Sequence, residues 1–264
     1  MSEKKIWAMY FSPTGTTEKI VTCVANVLAG EGKAEIYDFT LPQVREQEKR
    51  FTADDVVVFG VPVYAGRVPN VLLKYLDTVQ GGGALAVPIV LYGNRNYDDG
   101  LIELRNILEK DGFHTIAAAA FIGEHSFSKI LADGRPDEKD MELAKEFASK
   151  IVLEDRGMVQ VKGEDPIRPY YKPRDRNGVF IDIRKVKPLT DDTCDDCKLC
   201  AEVCPMGSIS FDNVREFTGI CIKCGSCIKR CPKGAKYYED EGYLYHKQEL
   251  EEMYTRRAEP ELFL

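Results

Sequence analysis

The chain of 264 residues reads as a doubly wound α/β domain followed by a small cysteine-rich α+β domain. Three observations predict this. Strand-length apolar runs alternate with amphipathic helices from residue 5 to residue 153. Two of those runs, 55–63 and 84–92, are apolar almost throughout, as expected of parallel strands buried on both faces. Eight of the nine cysteines lie between Cys194 and Cys231, in one pattern written twice.

The first strand is 5–11, and helical periodicity at Ile20, Val24, Val27 and Leu28 gives a helix over 16–29 that stops at Gly30. A short strand at 34–39 precedes the buried strand at 55–63. A helix at 71–79 is ended by Gly81-Gly82-Gly83, and the second buried strand, 84–92, follows. Leu101, Leu104, Ile107 and Leu108 line one side of a helix over 97–110. A fifth strand is expected at 113–122 and a last helix at 137–153. Five strands in such alternation form a five-stranded parallel sheet, and sheets of this kind bind ligands beyond the carboxyl ends of their strands.

Three loops at that end carry unusual sequence. Between the first strand and helix stand Ser12, Thr14, Gly15, Thr16 and Thr17. A helix start offers free N–H groups to a phosphate, and hydroxyls add donors. The same residues also suit a simple helix cap. No lysine marks a nucleotide triphosphate loop, and no Gly-x-Gly-x-x-Gly marks a dinucleotide site. After the third strand comes Val63-Tyr64-Ala65-Gly66-Arg67-Val68-Pro69, and after the fourth Tyr92-Gly93-Asn94-Arg95-Asn96-Tyr97.

Ser-x-Thr-Gly-x-Thr, Val-Tyr-x-Gly-Arg-x-Pro and Tyr-Gly-Asn-Arg-x-Tyr together resemble the three FMN-binding loops of flavodoxins, over about residues 4–153. The resemblance implies a flavodoxin-like strand order and a phosphate held by Ser12, Thr14, Gly15, Thr16 and Thr17. It places Val63, Tyr64, Ala65, Gly66 and Arg67 along one face of the flavin ring. Gly93, Asn94, Arg95 and Tyr97 border the other, with Tyr97 stacking on it. Arg67 and Arg95 depart from the acidic and apolar surroundings of many flavodoxins. A free guanidinium at the ring edge would make full reduction of the flavin less difficult; either arginine could equally face solvent or a partner. Glu124 and His125 follow the fifth strand and reach the same crevice, His125 as a loop histidine or a flavin contact.

The doubled run is Cys194-x2-Cys197-x2-Cys200-x3-Cys204-Pro205 and Cys221-x2-Cys224-x2-Cys227-x3-Cys231-Pro232. A zinc ribbon needs two pairs of ligands per ion, and disulfides do not suit an intracellular chain. The spacing is that of the two-cluster arrangement, in which the fourth cysteine of each run crosses to the other cluster. Cys194, Cys197, Cys200 and Cys231 then hold one [4Fe–4S] cluster, and Cys221, Cys224, Cys227 and Cys204 the second. The region, about 190–237, resembles bacterial 2[4Fe–4S] ferredoxins. Leu199, Val203, Ile209, Ile220, Ile222 and Ile228 are expected to shield the clusters, and Asp212-Asn213 to form a turn.

Residues 1–155 are thus an FMN domain, 156–190 a linker, 191–237 the cluster domain and 238–264 a tail with a helix near 247–256. Within 161–190 stand eight Lys/Arg against four Asp/Glu and four prolines. This connector either wraps the domain seam or lies against Asp191, Asp192, Asp195 and Asp196, with a short strand at 179–183. The apolar end Leu262-Phe263-Leu264 is expected to dock on a domain surface or on a neighbouring chain, the latter making a homodimer. Cys23 lies on an apolar helix face and reads as packing. A net charge of −7 argues against nucleic acid, no apolar run spans a bilayer, and Met1-Ser2-Glu3-Lys4-Lys5 is not a signal peptide. A cytoplasmic protein is expected.

As a whole the chain resembles bacterial flavodoxin–ferredoxin fusion proteins. The resemblance implies low-potential electron transfer between the clusters and FMN in anaerobic metabolism, with redox proteins as partners. The alternative is an FMN-dependent reductase of a small molecule, with Tyr64, His125 or Glu124 as proton donor.

Overall fold

The structure, a computed structural model, describes residues 4–264, so Met1-Ser2-Glu3 lie outside the described residues. The first domain runs β1 (Lys5–Tyr10), α1 (Thr16–Ala29), β2 (Glu35–Asp38), β3 (Asp55–Pro62), α2 (Asn70–Leu76), β4 (Leu85–Tyr92), α3 (Gly100–Lys110), β5 (His114–Thr115), β6 (Ala118–Ile122) and α4 (Glu138–Lys150). Its strands are parallel in the order β2-β1-β3-β4-β6. This is the flavodoxin-like order.

Alternation along the strands sorts the core into two layers. Ile6, Ala8 and Tyr10 of β1 and Val56 and Val58 of β3 pack with Ile20, Val24 and Phe147 of α1 and α4. Met9, Val57, Phe59 and Val61 pack with Leu72, Leu76, Leu101 and Leu104 of α2 and α3. Both faces of β3 and β4 are therefore buried, which is why their sequences show no polar alternation. Gly60 marks a close helix–sheet approach, because a Cβ there would stand 2.2 Å from Val21 Cγ2.

Three expectations change. The fifth strand is broken: Leu85 pairs with His114, but Ile89 pairs with Ala119, so one extra residue is accommodated between β5 and β6. The backbone at that point is held by other groups, Thr115 N–H by Glu109 and Thr115 C=O by the Val159 N–H. The sheet is also not limited to parallel strands. The tail supplies β9 (Glu261–Phe263), antiparallel to β6. α3 begins at Gly100 rather than at Tyr97, since Asp98 holds φ +44°, outside the right-handed helical region.

The second domain is built on β7 (Leu189–Thr190) and β8 (Lys236–Tyr237), paired antiparallel, with single-turn helices α5 (Leu199–Glu202) and α6 (Ser226–Lys229). A bridge between Ile209 and Phe217 closes the turn at Asp212-Asn213. The chain then forms α7 (Glu241–Met253) before returning to the first sheet as β9. No described helix is long and apolar enough to cross a membrane.

Candidate functional site

Each cysteine run bends around its own cavity through two residues in the left-handed region. These are Asp196 and Lys198 in the first copy (φ +59° and +65°) and Lys223 and Gly225 in the second (φ +55° and +77°). They flank Cys197 and Cys224 at corresponding positions, so the sequence repeat is also a backbone repeat. Cys194, Cys197, Cys200 and Cys231 line one cavity, with Leu199 and Val214. Cys204, Cys221, Cys224 and Cys227 line the other, with Ile209, Phe217, Ile220 and Ile222. The structure thus brings the fourth cysteine of each run to the other run's cavity. All nine cysteines are free thiols. Among the described residues no three His, Cys, Asp or Glu side chains are gathered tightly enough for a single metal ion. Zinc bonds of about 2.3 Å would draw four sulfurs to one point; four cysteines around a cavity fit a cubane.

The two cavities differ in exposure. Cys197 is exposed and Cys227 buried. Burial pushes the Cys224 thiol up to about 12 and the Cys227 thiol higher still. Buried ammonium groups flank both. Lys236 lines the first cavity and donates to Thr190 Oγ1 at 2.7 Å; Lys223 donates to the Cys221 and Arg184 carbonyls, each at 2.7 Å. Of the expected shielding residues, Leu199, Ile209, Ile220 and Ile222 line cavities and Ile228 packs in the small core. Val203 is among the lining residues of neither cavity, and Ile220 is a rim residue, 65% exposed.

Loop 12–17, the expected phosphate site of the first domain, turns into α1 at Gly15, whose φ is +84°. The leading amides of a helix have no intrahelical acceptor. Ser12 Oγ accepts the N–H of Glu18 at 3.0 Å, and the Ser12 N–H donates to Thr40 Oγ1 at 2.8 Å. Ser12 is therefore a loop brace, which leaves Thr14, Gly15, Thr16 and Thr17 as the N–H and hydroxyl donors of the expected cradle. This donor set fits a phosphate monoester.

In the second loop Tyr64 and Arg67 exchange backbone hydrogen bonds, at 2.9 and 3.1 Å, around Ala65 and Gly66. Gly66 is required, since a Cβ would meet Asp98 Oδ2 at 2.4 Å. Val63 is held by its N–H to the Leu91 carbonyl at 2.7 Å. The Tyr64 phenol is raised well above its usual range, chiefly by burial and then by Cys224 and Cys221. It stands on the side of the second cavity.

The third loop departs from expectation. Tyr97 does not offer a ring face: it is buried against Tyr92, centroids 5.6 Å apart, and its hydroxyl donates to Glu261 of β9 at 2.9 Å. Asn94 is spent on the tail. Its amide donates to the Tyr254 and Arg256 carbonyls at 2.7 and 2.6 Å, and its Oδ1 accepts the Ala258 N–H at 3.1 Å. Gly93 leaves room for His125, whose Cδ2 would stand 2.4 Å from a Cβ there. Burial foremost, then His246, Lys229 and Arg95, holds the His125 pKa down to about 3.

Arg67 and Arg95 are both paired within the chain. Arg67 Nε and Nη2 donate to Glu103 at 2.7 and 2.6 Å, and its guanidinium lies 4.8 Å over Tyr170. Arg95 pairs with Asp98 and lies 4.8 Å over Tyr171. This pairing removes the free charge on which the expected tuning of the flavin rested. The linker is what they hold. Asp99, fully buried, accepts from Arg168 N, Nε and Nη2 at 2.8, 2.9 and 2.6 Å; the Arg168 side chain foremost lowers its pKa to about 2. Tyr170 donates to the Val68 carbonyl and Tyr171 N–H to that of Ala65, both at 2.8 Å.

Asp99, Arg168, Tyr170 and Tyr171 were not singled out by sequence reasoning. The available signal was a basic, aromatic linker and the acidic pair Asp98-Asp99. The acidic stretch is not the linker's partner: Asp192, Asp195 and Asp196 pair with Arg215, Lys233 and Lys198 of their own domain. The expected strand at 179–183 is a single bridge, Arg174 to Phe180.

The second cavity abuts the flavin loops. Ser226 Oγ donates to the Pro13 carbonyl at 2.8 Å. A Cβ on Gly225 would lie 2.6 Å from the Ser126 carbonyl oxygen. Lys229 pairs with Glu124 at 2.7 Å, and Arg45 Nη2 donates to the Pro205 carbonyl at 2.5 Å.

Residues 8–83 match the family model of the flavodoxin domain, and residues 193–235 that of the 4Fe–4S dicluster domain. Among solved structures, the chain is similar to a flavodoxin from the domain Archaea, at 15% identity over 53% of this chain and 90% of that one, TM-score 0.37. It is similar to a putative flavoprotein from Bacteroides uniformis ATCC 8492, at 15% identity over 56% and 100%, TM-score 0.38. A short-chain flavodoxin associated with a non-canonical PDU bacterial microcompartment shares 14% identity over 55% and 95%, TM-score 0.39. No curated protein matches. The flavodoxin domain implies FMN, and the dicluster domain implies iron–sulfur clusters.

Proposed function

We propose that this chain, a flavodoxin domain joined to a 4Fe–4S dicluster domain, is an electron carrier in which one cysteine cavity lies against the flavin loops. The cavity that holds buried Cys227 lies at the seam and is the inner site; the cavity that holds exposed Cys197 is the outer one. When bound, FMN exchanges one or two electrons and each cluster exchanges one. The observation that carries this reading is the contact between the buried cavity and the phosphate loop, Ser226 to Pro13 at 2.8 Å. Tyr64, in the second loop, feels the charge of Cys224 and Cys221 of that cavity, which supports the same placement. Cys197 is exposed, which opens the outer site both to protein partners and to oxygen. A site open to oxygen supports a role in anaerobic metabolism. Since β9 pairs with β6 of the same chain, the tail supplies no argument for a homodimer.

Anaerobic reconstitution with iron, sulfide and FMN tests the reading. Roughly eight irons per chain are expected, with one FMN. A Cys197→Ser variant should retain FMN and the inner cluster yet pass electrons from an external one-electron donor to the flavin several-fold more slowly. An unchanged rate would show that electrons reach the flavin without passing through the outer cluster.

A further inference from the structure

The geometry points to Arg230 of the cluster domain as a residue that binds the flavin phosphate held by the flavodoxin domain. The inference rests on the reading of loop 12–17 as an FMN phosphate site.

That loop supplies only neutral donors: no residue from Ser12 to Thr17 is basic. The monoester it would hold carries a charge of about −1.5 to −2 at neutral pH. The surroundings are acidic. Glu18 and Asp38 both act on the nearby Tyr10 phenol, and Glu124 is tied up by Lys229. A cation is lacking within the first domain's own loop.

Arg230 supplies it. A Cβ built on Gly15, in the middle of the loop, has Arg230 Nη2 as its one neighbour within 4 Å, at 3.9 Å. The backbone that carries Arg230 is fixed from both sides. Its N–H donates to the Ser226 carbonyl at 3.0 Å, Ser226 Oγ is bonded to Pro13 beside the loop, and Lys229 is paired with Glu124. The guanidinium has no hydrogen-bond or ion-pair partner among the described residues. The side chains of Arg45, Arg67, Arg95, Arg135 and Arg168, in contrast, all have hydrogen-bond or ion-pair partners. An unpaired guanidinium aimed at a phosphate cradle is suited to forked contact with phosphate oxygens.

Arg230 precedes Cys231, which lines the outer cavity. Phosphate recognition is thereby linked to the folded, loaded state of the cluster domain. The linkage is reciprocal, so removing clusters should weaken FMN more than riboflavin.

The test compares FMN and riboflavin binding to the reconstituted, cluster-loaded protein by anaerobic flavin fluorescence titration. In Arg230→Ala the Kd for FMN should rise on the order of tenfold, a value reduced for solvent exposure, with that for riboflavin unchanged. Arg230→Gln, measured alongside with iron content as the check on folding, should behave the same way, and Arg230→Lys should restore part of the loss. An FMN Kd unchanged in both uncharged variants, or an equal loss for riboflavin, overturns the inference while leaving the FMN reading intact. Failure of the wild-type chain to prefer FMN over riboflavin overturns both.

Discussion

Gly225→Ala is expected to disturb the domain seam rather than the clusters, and Gly234→Ala is its internal control. Both glycines are left-handed, with φ +77° and +65°. Each substitution carries the same backbone strain, about 1–2 kcal/mol. They differ in what the new methyl group meets. At Gly234 nothing lies within 4 Å; at Gly225 the Ser126 carbonyl oxygen lies at 2.6 Å and its carbon at 3.4 Å. That backbone must retreat by several tenths of an ångström, an overpacking cost of about 1–3 kcal/mol. The first cysteine run shows that the strain alone is tolerable, because Lys198 occupies the corresponding position at φ +65° with its side chain paired to Asp196. Anaerobic thermal unfolding should place Gly225→Ala below Gly234→Ala by about 2–10 °C. Stopped-flow reduction should show slowed flavin reduction in Gly225→Ala alone, with iron and FMN content unchanged in both. Equal melting points and equal rates would refute the placement of the Ser126 carbonyl over the cysteine loop.

Three further outcomes follow from described contacts. Asn94→Ala removes three hydrogen bonds to the tail and should cost about 1–3 kcal/mol; amide exchange at Glu261–Phe263 should accelerate, and unchanged protection there would contradict the clasp. The carboxyl of Asp99, lowered to about 2 by Arg168, contributes stability that is full above its unfolded value near 4 and is lost as pH falls through about 2. Arg168→Ala should remove about 1 kcal/mol, since that side chain is 51% exposed, and open 163–172 to protease at pH 7. His125, held down to about 3, contributes stability that is full above 6.5 and lost as pH falls through about 3. Its imidazole resonances should not move between pH 5 and 8, and a titration near 6.5 would contradict its burial.

What was legible in the chain was local. The bounds of α1, 16–29, follow from Gly15 and Gly30 and from one apolar stripe. The two cysteine sets follow from spacings of two and three residues, because a cluster site is mostly one tight loop. What was not legible depends on partners far away in sequence. Tyr97 looks like a ring-stacking aromatic until Glu261, 164 residues on, takes its hydroxyl. Asn94 resembles a loop donor until the tail occupies it. Arg67 and Arg95 looked like free charge beside a flavin because Glu103, Asp98 and the linker tyrosines become neighbours only on folding. The strand Glu261–Phe263 is three residues long and begins with a charge, too short for a period-two pattern to declare itself.

That short strand alters the architecture more than its length implies. The chain leaves the first domain after α4, builds the cluster domain, and comes back to zip onto β6. Topologically the second domain is an insertion, moored to the first domain at two points, and not a pendant on a single hinge. A pendant domain samples many orientations and loses its redox contact in most of them. A twice-moored domain cannot swing away without unzipping a strand, and the strand also caps an edge that would otherwise invite pairing with foreign chains. Cleavage of the linker alone should therefore leave the two halves together and still in electrical contact.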